Sequence, residues 1–180
     1  IELPLYGKIK YDLAYGGAYY AIVDGDNMGI DSKSKNIDEI INLGMSIKRS
    51  ISGKVEIKHP LEPEMNFLYG VIFSFRAKVK NNHSRNICVF ANGEVDRSPT
   101  GTGVSARAAI HYARNEISLD QPIIIESIVG STFKVSVIKE TIINGKEAII
   151  PQIMGTANVI SKNVFWIDPK DEIGKGFTLR

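Results

Sequence analysis

From Gly7 to Tyr15 the chain reads GKIKYDLAY, and Ile9, Tyr11 and Leu13 fall on one face. That period-two alternation predicts a half-buried strand. Gly16-Gly17 interrupts it, and AYYAIVD follows as a second strand. A double glycine there marks a tight turn, a bulge, or a close approach of the backbone to something else. The period then changes. After the polar loop DSKSKN, residues Ile37, Ile40, Ile41, Ile47 and Ile51 recur at helical spacing, with Asn36 placed to cap the helix and Gly53 to end it. A two-proline loop, HPLEPE, leads to the strand FLYGVIFSF. RAKVKNNHSR is basic and polar and reads as a solvated loop before the strand NICVFA. An alanine-rich helix comes next. PIIIESIVG, FKVSVIKETII, KEAIIPQI, TANVI and NVFWID then read as short β-branched strands, and Asn144-Gly145 signals a hairpin between two of them. The expected class is α+β: mostly antiparallel strands with two helices, one amphipathic and one small-faced.

Composition narrows the functional classes. With 180 residues, 43% apolar and 23% charged, the chain suits a soluble globular fold. A net charge of +2 gives no bulk attraction to nucleic acid or to a membrane surface. The basic run at 76–85 has no interleaved aromatics, so a solvated loop is favoured over a nucleic-acid contact. No apolar run nears the ~18 residues of a membrane span. No signal peptide opens the chain, and the one cysteine, Cys88, cannot form an internal disulfide. These features favour a cytoplasmic setting. The first residue is Ile1 rather than Met, so a longer protein is a possible source. His59, His83 and His111 share no metal-ligand spacing, and no metal site is expected.

Candidate chemistry concentrates in VDRSPTGTGVSARAA, residues 95–109. Pro99 keeps Ser98 out of the helical region, so the helix begins beyond it. Thr102 is the expected N-cap, its hydroxyl accepting from the Ser105 N–H. Gly101 and Gly103 leave the backbone unshielded at a helix N-terminus, whose free amides and partial positive charge attract anions. The segment therefore suits a carboxylate or phosphate. Ala106, Ala108, Ala109 and Ala113 let the helix pack closely on several sides, as a central helix would. Arg107, His111 and Arg114 form a polar stripe at i, i+4 and i+7. Gly101-x-Gly103-x-x-Ala106, with Glu126 downstream, formally matches a dinucleotide fingerprint. That fingerprint needs its glycines directly after a strand and alternating βαβ units beyond, and neither is present. No Gly-Lys-Ser/Thr follows, which excludes a Walker A loop.

DRSPTGTG resembles the DRSPCGTG signature of the proline racemase family, which includes hydroxyproline epimerases and trans-3-hydroxy-L-proline dehydratases. IKYDLAYGGAYYAIVD, NICVFANGEVD, ESIVGSTFKVSV and GTANVISKNVFWIDPKDEIGKGFTL resemble further segments of that family, in order, so the resemblance covers nearly the whole chain. It implies a diaminopimelate-epimerase-like lobe, with strands curled around a central helix. Family members carry two such lobes facing each other across a cleft, and the first lobe supplies a catalytic cysteine in a Met-Cys-Gly-His segment. That segment does not occur here. Residues 1–180 are thus expected to be a single lobe, the second, plus the C-terminal tail, with the first lobe as the missing partner. Cys88 lies mid-strand, where a small buried hydrophobe is the simpler role.

At Thr100 the racemases and epimerases place a second cysteine. Two thiols on opposite faces of Cα account for racemisation, and a thiol with a pKa of about 8.5 can be tuned to a thiolate. A threonine hydroxyl is a far weaker acid. A one-base dehydration of trans-3-hydroxy-L-proline to pyrroline-2-carboxylate, without metal or cofactor, is the implied activity, with Thr100 at the catalytic position. By the same resemblance Asp96 pairs with the ring amine, Gly101 and Thr102 bind the carboxylate, and Phe90 forms part of the apolar wall. Asp96 could instead shape a turn, and Phe90 could simply pack in the core. The alternatives are a proline racemase or hydroxyproline epimerase with an atypical residue at Thr100, or a non-catalytic imino-acid-binding module. An isolated lobe is expected to turn over negligibly.

Overall fold

The computed structural model describes residues 1–32 and 37–176. The isoleucine spacing becomes helix α1, Ile37–Ser52, with Ile40, Leu43, Ile47 and Ile51 buried along one stripe. The helix stops one residue before Gly53, and the expected cap, Asn36, lies outside the described residues. The strands are β1 (Glu2–Leu3), β2 (Gly7–Lys8), β3 (Asp12–Tyr15), β4 (Tyr19–Asp24), β5 (Leu68–Phe75), β6 (Ser84–Phe90), β7 (Glu94–Val95), β8 (Ile123–Glu126), β9 (Thr132–Ile143) and β10 (Lys146–Met154). The second helix, α2, spans Gly101–Ala113.

β1 and β2 form a small separate ribbon, and the other strands form one sheet in the order β10-β9-β8-β6-β5-β4-β3, with β7 added to β6. Most neighbours are antiparallel. The two parallel pairs, β4–β5 and β6–β8, are those whose connections carry α1 and α2. α1 lies on β5 and β6 and closes one core over Val71, Phe73, Ile87 and Val89. α2 lies on the other face. It touches β3 and β4 toward one edge of the sheet and β9 and β10 at the other, so the sheet curls around it. Val104 and Ala108 pack against Ile123, Ile125, Val135 and Val137, while Ala106 packs against Tyr20, Ile22, Ile72 and Cys88. Small side chains on α2 are what allow strands on both sides to close in.

The structure corrects several expectations. GKIKYDLAY is not one strand: β2 and β3 belong to different sheets. The run 76–85 is not wholly solvated, because Arg85 already belongs to β6 and is 1% exposed. Its guanidinium donates to the Ser32 carbonyl at 2.6 Å and to Ser32 Oγ at 3.1 Å. Glu126, the acid downstream of the rejected dinucleotide pattern, is 2% exposed. It closes the loop before β6 by accepting from the amides of Lys78 and Val79 and from Asn82 Nδ2. TANVI and NVFWID form no strand among the described residues. Their β-branched residues favour extended backbone, but a strand needs a ladder partner, and Val159, Phe165 and Trp166 stand exposed. The hairpin at Asn144-Gly145 is present, with φ of 49° and 76°, the positive pair a two-residue hairpin turn requires.

Candidate functional site

Between β7 and α2 the chain makes a tight loop held by its own polar groups. The Asp96 amide donates to the Cys88 carbonyl at 3.3 Å, which ties the loop to β6. Asp96 Oδ1 accepts from the Ser98 amide at 2.9 Å, an Asx turn. Asp96 Oδ2 accepts from Thr100 Oγ1 at 3.0 Å, and the Thr100 amide donates to Ser98 Oγ at 3.0 Å. Thr100 itself has φ of 69°. For a β-branched residue such a backbone costs about 1–3 kcal/mol and persists only where the surroundings hold it.

The N-cap is therefore Thr100, not Thr102. Gly101 and Thr102 are already helical, and the sharp turn that starts the helix sits two residues earlier than expected. The Thr100 carbonyl accepts the Val104 amide at 2.7 Å, while its hydroxyl is turned to Asp96 and caps nothing. The Thr102 hydroxyl instead meets Tyr20 OH at 2.7 Å. No protein acceptor among the described residues pairs with the amides of Gly101, Thr102 and Gly103. A Cβ placed on Gly101 would meet nothing within 4 Å, so the space before the helix end is open. Three N–H groups without a protein acceptor and the positive end of the helix dipole thus lie next to the loop that holds a carboxylate, with open space at Gly101, while Gly103 is buried against Ile72.

Gly16 explains part of this arrangement. A Cβ there would lie 2.2 Å from the Thr102 carbonyl oxygen and 2.4 Å from the Ala106 amide nitrogen. Two of the readings open for the double glycine are realised: it makes the tight turn between β3 and β4, with Gly17 at φ of 109°, and it lets the backbone approach the first turn of α2. Phe90 is half-buried and packs in the cluster of Tyr20, Ile72, Cys88 and Ala106. Its ring centroid is 5.5 Å from that of Tyr69, which is 5.8 Å from that of Tyr20. The aromatic row thus runs from Phe90 to the tyrosine that holds Thr102. Asp96, Thr100, Gly101 and Thr102 come together directly, and Phe90 joins them through Tyr69 and Tyr20. Tyr20, Ser98 and Asn86, which donates to the Pro99 carbonyl at 3.0 Å, were not singled out from the sequence.

Cys88 is 2% exposed. Burial pushes its thiol up to about 12, against a weaker downward pull from the neighbouring Thr100 hydroxyl. It is a packing residue in this environment. Arg107, on the helix stripe, is 5% exposed, and burial lowers its pKa to about 10. Its side chain and that of His111 line a cavity of about 460 Å³ at the opposite end of α2, together with Asp12, Asp24, His83 and Arg114. The rings of His83 and His111 meet there, with centroids 4.6 Å apart.

A curled sheet wraps a small-faced helix whose first amides have no protein acceptor among the described residues and whose cap residue bonds an acid. The chain matches the proline racemase family over residues 1–178 and belongs to that family. It is 42% identical, over its whole length, to a trans-3-hydroxy-L-proline dehydratase of Colwellia psychrerythraea, of which it covers 51%. It is 35% identical to a 3-hydroxyproline 2-epimerase of Burkholderia multivorans, covering 54% of that protein. The crystal structure of a hydroxyproline epimerase from Agrobacterium vitis, with bound trans-4-hydroxy-L-proline, superposes with a TM-score of 0.86 at 32% identity, over 99% of this chain and 51% of the other. The chain spans about half the length of the curated relatives it matches. Among the described residues no helix is long and apolar enough to cross a membrane.

Proposed function

We propose that this chain is the substrate-binding lobe of a cofactor-independent lyase that dehydrates trans-3-hydroxy-L-proline to pyrroline-2-carboxylate. The observation that carries the reading is the bare start of α2 with Thr100, rather than a thiol, beside Asp96. The amides of Gly101, Thr102 and Gly103 take the substrate carboxylate. Asp96 takes the ring ammonium, a charge-assisted contact. Phe90 and Tyr69 flank the apolar ring edge.

The base is supplied by the other lobe of the intact protein, a cysteine thiolate in the family pattern. It removes the Cα proton. The C3–O bond then breaks, the departing hydroxide takes a proton from solvent to leave as water, the cysteine thiol returns its own proton to solvent, and the C2–C3 enamine tautomerises to the cyclic imine. Thr100 donates its proton to Asp96, so its oxygen offers only lone pairs. It can orient the substrate by accepting a hydrogen bond, but it is not matched to return a proton to Cα. The chain alone turns over negligibly, because it lacks the base.

The similarity to an epimerase and to a hydroxyproline-bound epimerase structure favours racemisation or epimerisation as the second reading. Incubating the intact protein with trans-3-hydroxy-L-proline, and separately with L-proline in deuterated water, separates the two. The lyase reading expects the pyrroline product and no inverted proline. Rapid inversion at Cα without dehydration would overturn it.

A further inference from the structure

Arg107 is a buried guanidinium in the middle of α2, at a distance from the groups assigned above to substrate. A buried charge is kept only where its donors are matched, and such groups can specify one local conformation. Its Nη1 donates to Ser84 Oγ at 2.6 Å and to Asn86 Oδ1 at 2.8 Å. Its Nη2 lies 3.1 Å from His111 Nε2. Arginine can only donate, so His111 Nε2 must carry its lone pair and Nδ1 the proton, which is shared with Glu116 Oε2.

The same logic fixes Asn86, which is 1% exposed. Facing a donor-only group, its Oδ1 must point at Arg107, and its Nδ2 must point the other way. There it donates to the Pro99 carbonyl at 3.0 Å. That carbonyl belongs to the peptide joining Pro99 to Thr100. The N–H of the same peptide donates to Ser98 Oγ at 3.0 Å. Both polar ends of one peptide plane are therefore pinned, and Thr100, the next rotatable position, is held at its φ of 69°. An unpinned β-branched residue would relax out of that region.

We propose that Asn86, oriented by Arg107, is a positioning residue: it locks the Pro99–Thr100 peptide and so aims the Thr100 hydroxyl at Asp96 and the substrate. The catalytic part of this inference rests on the reading of Thr100 given above, whereas the locked peptide does not. The relay crosses from the helix body to the loop without touching the amides of Gly101, Thr102 and Gly103. Its loss should therefore alter turnover and leave carboxylate binding in place.

Asn86→Asp tests it, because the substitution keeps an oxygen for Arg107, whose charge can pair the new carboxylate, and replaces the donor to Pro99 by an acceptor that repels its carbonyl. In the full chain, hydrogen exchange at the Thr100 amide should accelerate about tenfold relative to the amides of Val89 and Ala106. In the intact enzyme, kcat on trans-3-hydroxy-L-proline should fall about 10- to 100-fold with KM within about twofold. In a Thr100→Ala background the same substitution should add little further loss. Ser98→Ala, at a half-exposed position, releases the other end of the peptide and should give the same signature if Asn86→Asp does not fold. Unchanged exchange at Thr100 in both variants would overturn the relay. Faster exchange with kcat retained, where Thr100→Ala does lower kcat, would overturn the positioning role. If Thr100→Ala itself leaves kcat unchanged, the catalytic reading of Thr100 fails and the positioning role with it, while exchange still decides whether the peptide is locked.

Discussion

Thr100 Oγ1 donates to Asp96 Oδ2 at 3.0 Å, so the residue that starts α2 and the acid before it act as one unit. The threonine proton is directed at the carboxylate. This sets the chemical difference between a hydroxyl and a thiol at this position. Thr100→Cys in the intact protein should introduce two-sided proton exchange, seen as inverted product and deuterium at Cα in deuterated water. Dehydration continuing with no inverted product would count against the assignment of Thr100 to the reacting face.

The approach of Gly16 to α2 leaves no room for a side chain. Gly16→Ala would place a methyl 2.2 Å from the Thr102 carbonyl oxygen, against backbone that cannot swing aside. The expected cost is about 1–3 kcal/mol or more, or roughly 2–4 °C in Tm per kcal/mol for a chain of this size. Gly53→Ala is the control, because its Cβ would sit 3.4 Å from the Arg49 carbonyl, an ordinary contact. Thermal unfolding of the two variants checks the contrast, and equal Tm values would contradict the close approach.

Cys88 should be inert in the folded chain. It is buried and its thiol is pushed up to about 12, so the reactive thiolate is scarce near neutral pH. Labelling with a maleimide should be slow in buffer and fast in denaturant. Rapid labelling under native conditions would show that the loop from Asp96 to Thr100 opens more readily than its hydrogen bonds imply.

Acid should weaken the fold through His83, and in the same direction through His111, whose burial also lowers its pKa. Burial, the neighbouring His111 and the Arg107 charge push the pKa of His83 down to about 4, from 6.5 in an open chain. Between those values the unfolded chain binds a proton that the folded chain refuses. Stability from this group is therefore complete above about pH 6.5 and is lost progressively toward about pH 4. Glu126 adds a loss at lower pH. Burial opposes its charge, but the amides of Lys78 and Val79, Asn82 and nearby Arg85 more than offset this and hold its pKa below 4.5. Its contribution is present above that value and is lost as pH falls through the depressed one. Urea midpoints measured from neutral pH downward should fall across this range, less steeply in His83→Asn. Identical slopes in the two proteins would contradict the burial of the imidazole.

What the sequence made legible was what depends on one segment at a time. The isoleucine stripe of α1, the Asn144-Gly145 turn and the small faces of α2 each follow from local spacing and backbone preference. The bare amides before Val104 were legible for the same reason, though the cap was placed two residues late, because a positive φ at threonine has no local signal. Relations between distant segments were not legible. Asn86 and Arg107 read as an ordinary strand residue and an ordinary helix-stripe residue until the fold sets them 2.8 Å apart. Arg85 reads as solvated because it ends a basic, polar run, and composition says nothing of the carbonyls waiting there. TANVI and NVFWID have strand composition, but composition does not supply a neighbouring strand.

The central claim is that the start of α2 holds an imino-acid carboxylate while Asp96 holds its nitrogen. Amide NMR of the isotopically labelled chain, titrated with trans-3-hydroxy-L-proline, tests it most directly, since binding to a lobe can be read without turnover. The expected result is saturable shifts at Gly101, Thr102, Gly103 and Asp96, lost in Asp96→Ala. Shifts confined to the cavity around Arg107 and Arg114, or shifts that persist in Asp96→Ala, would contradict it.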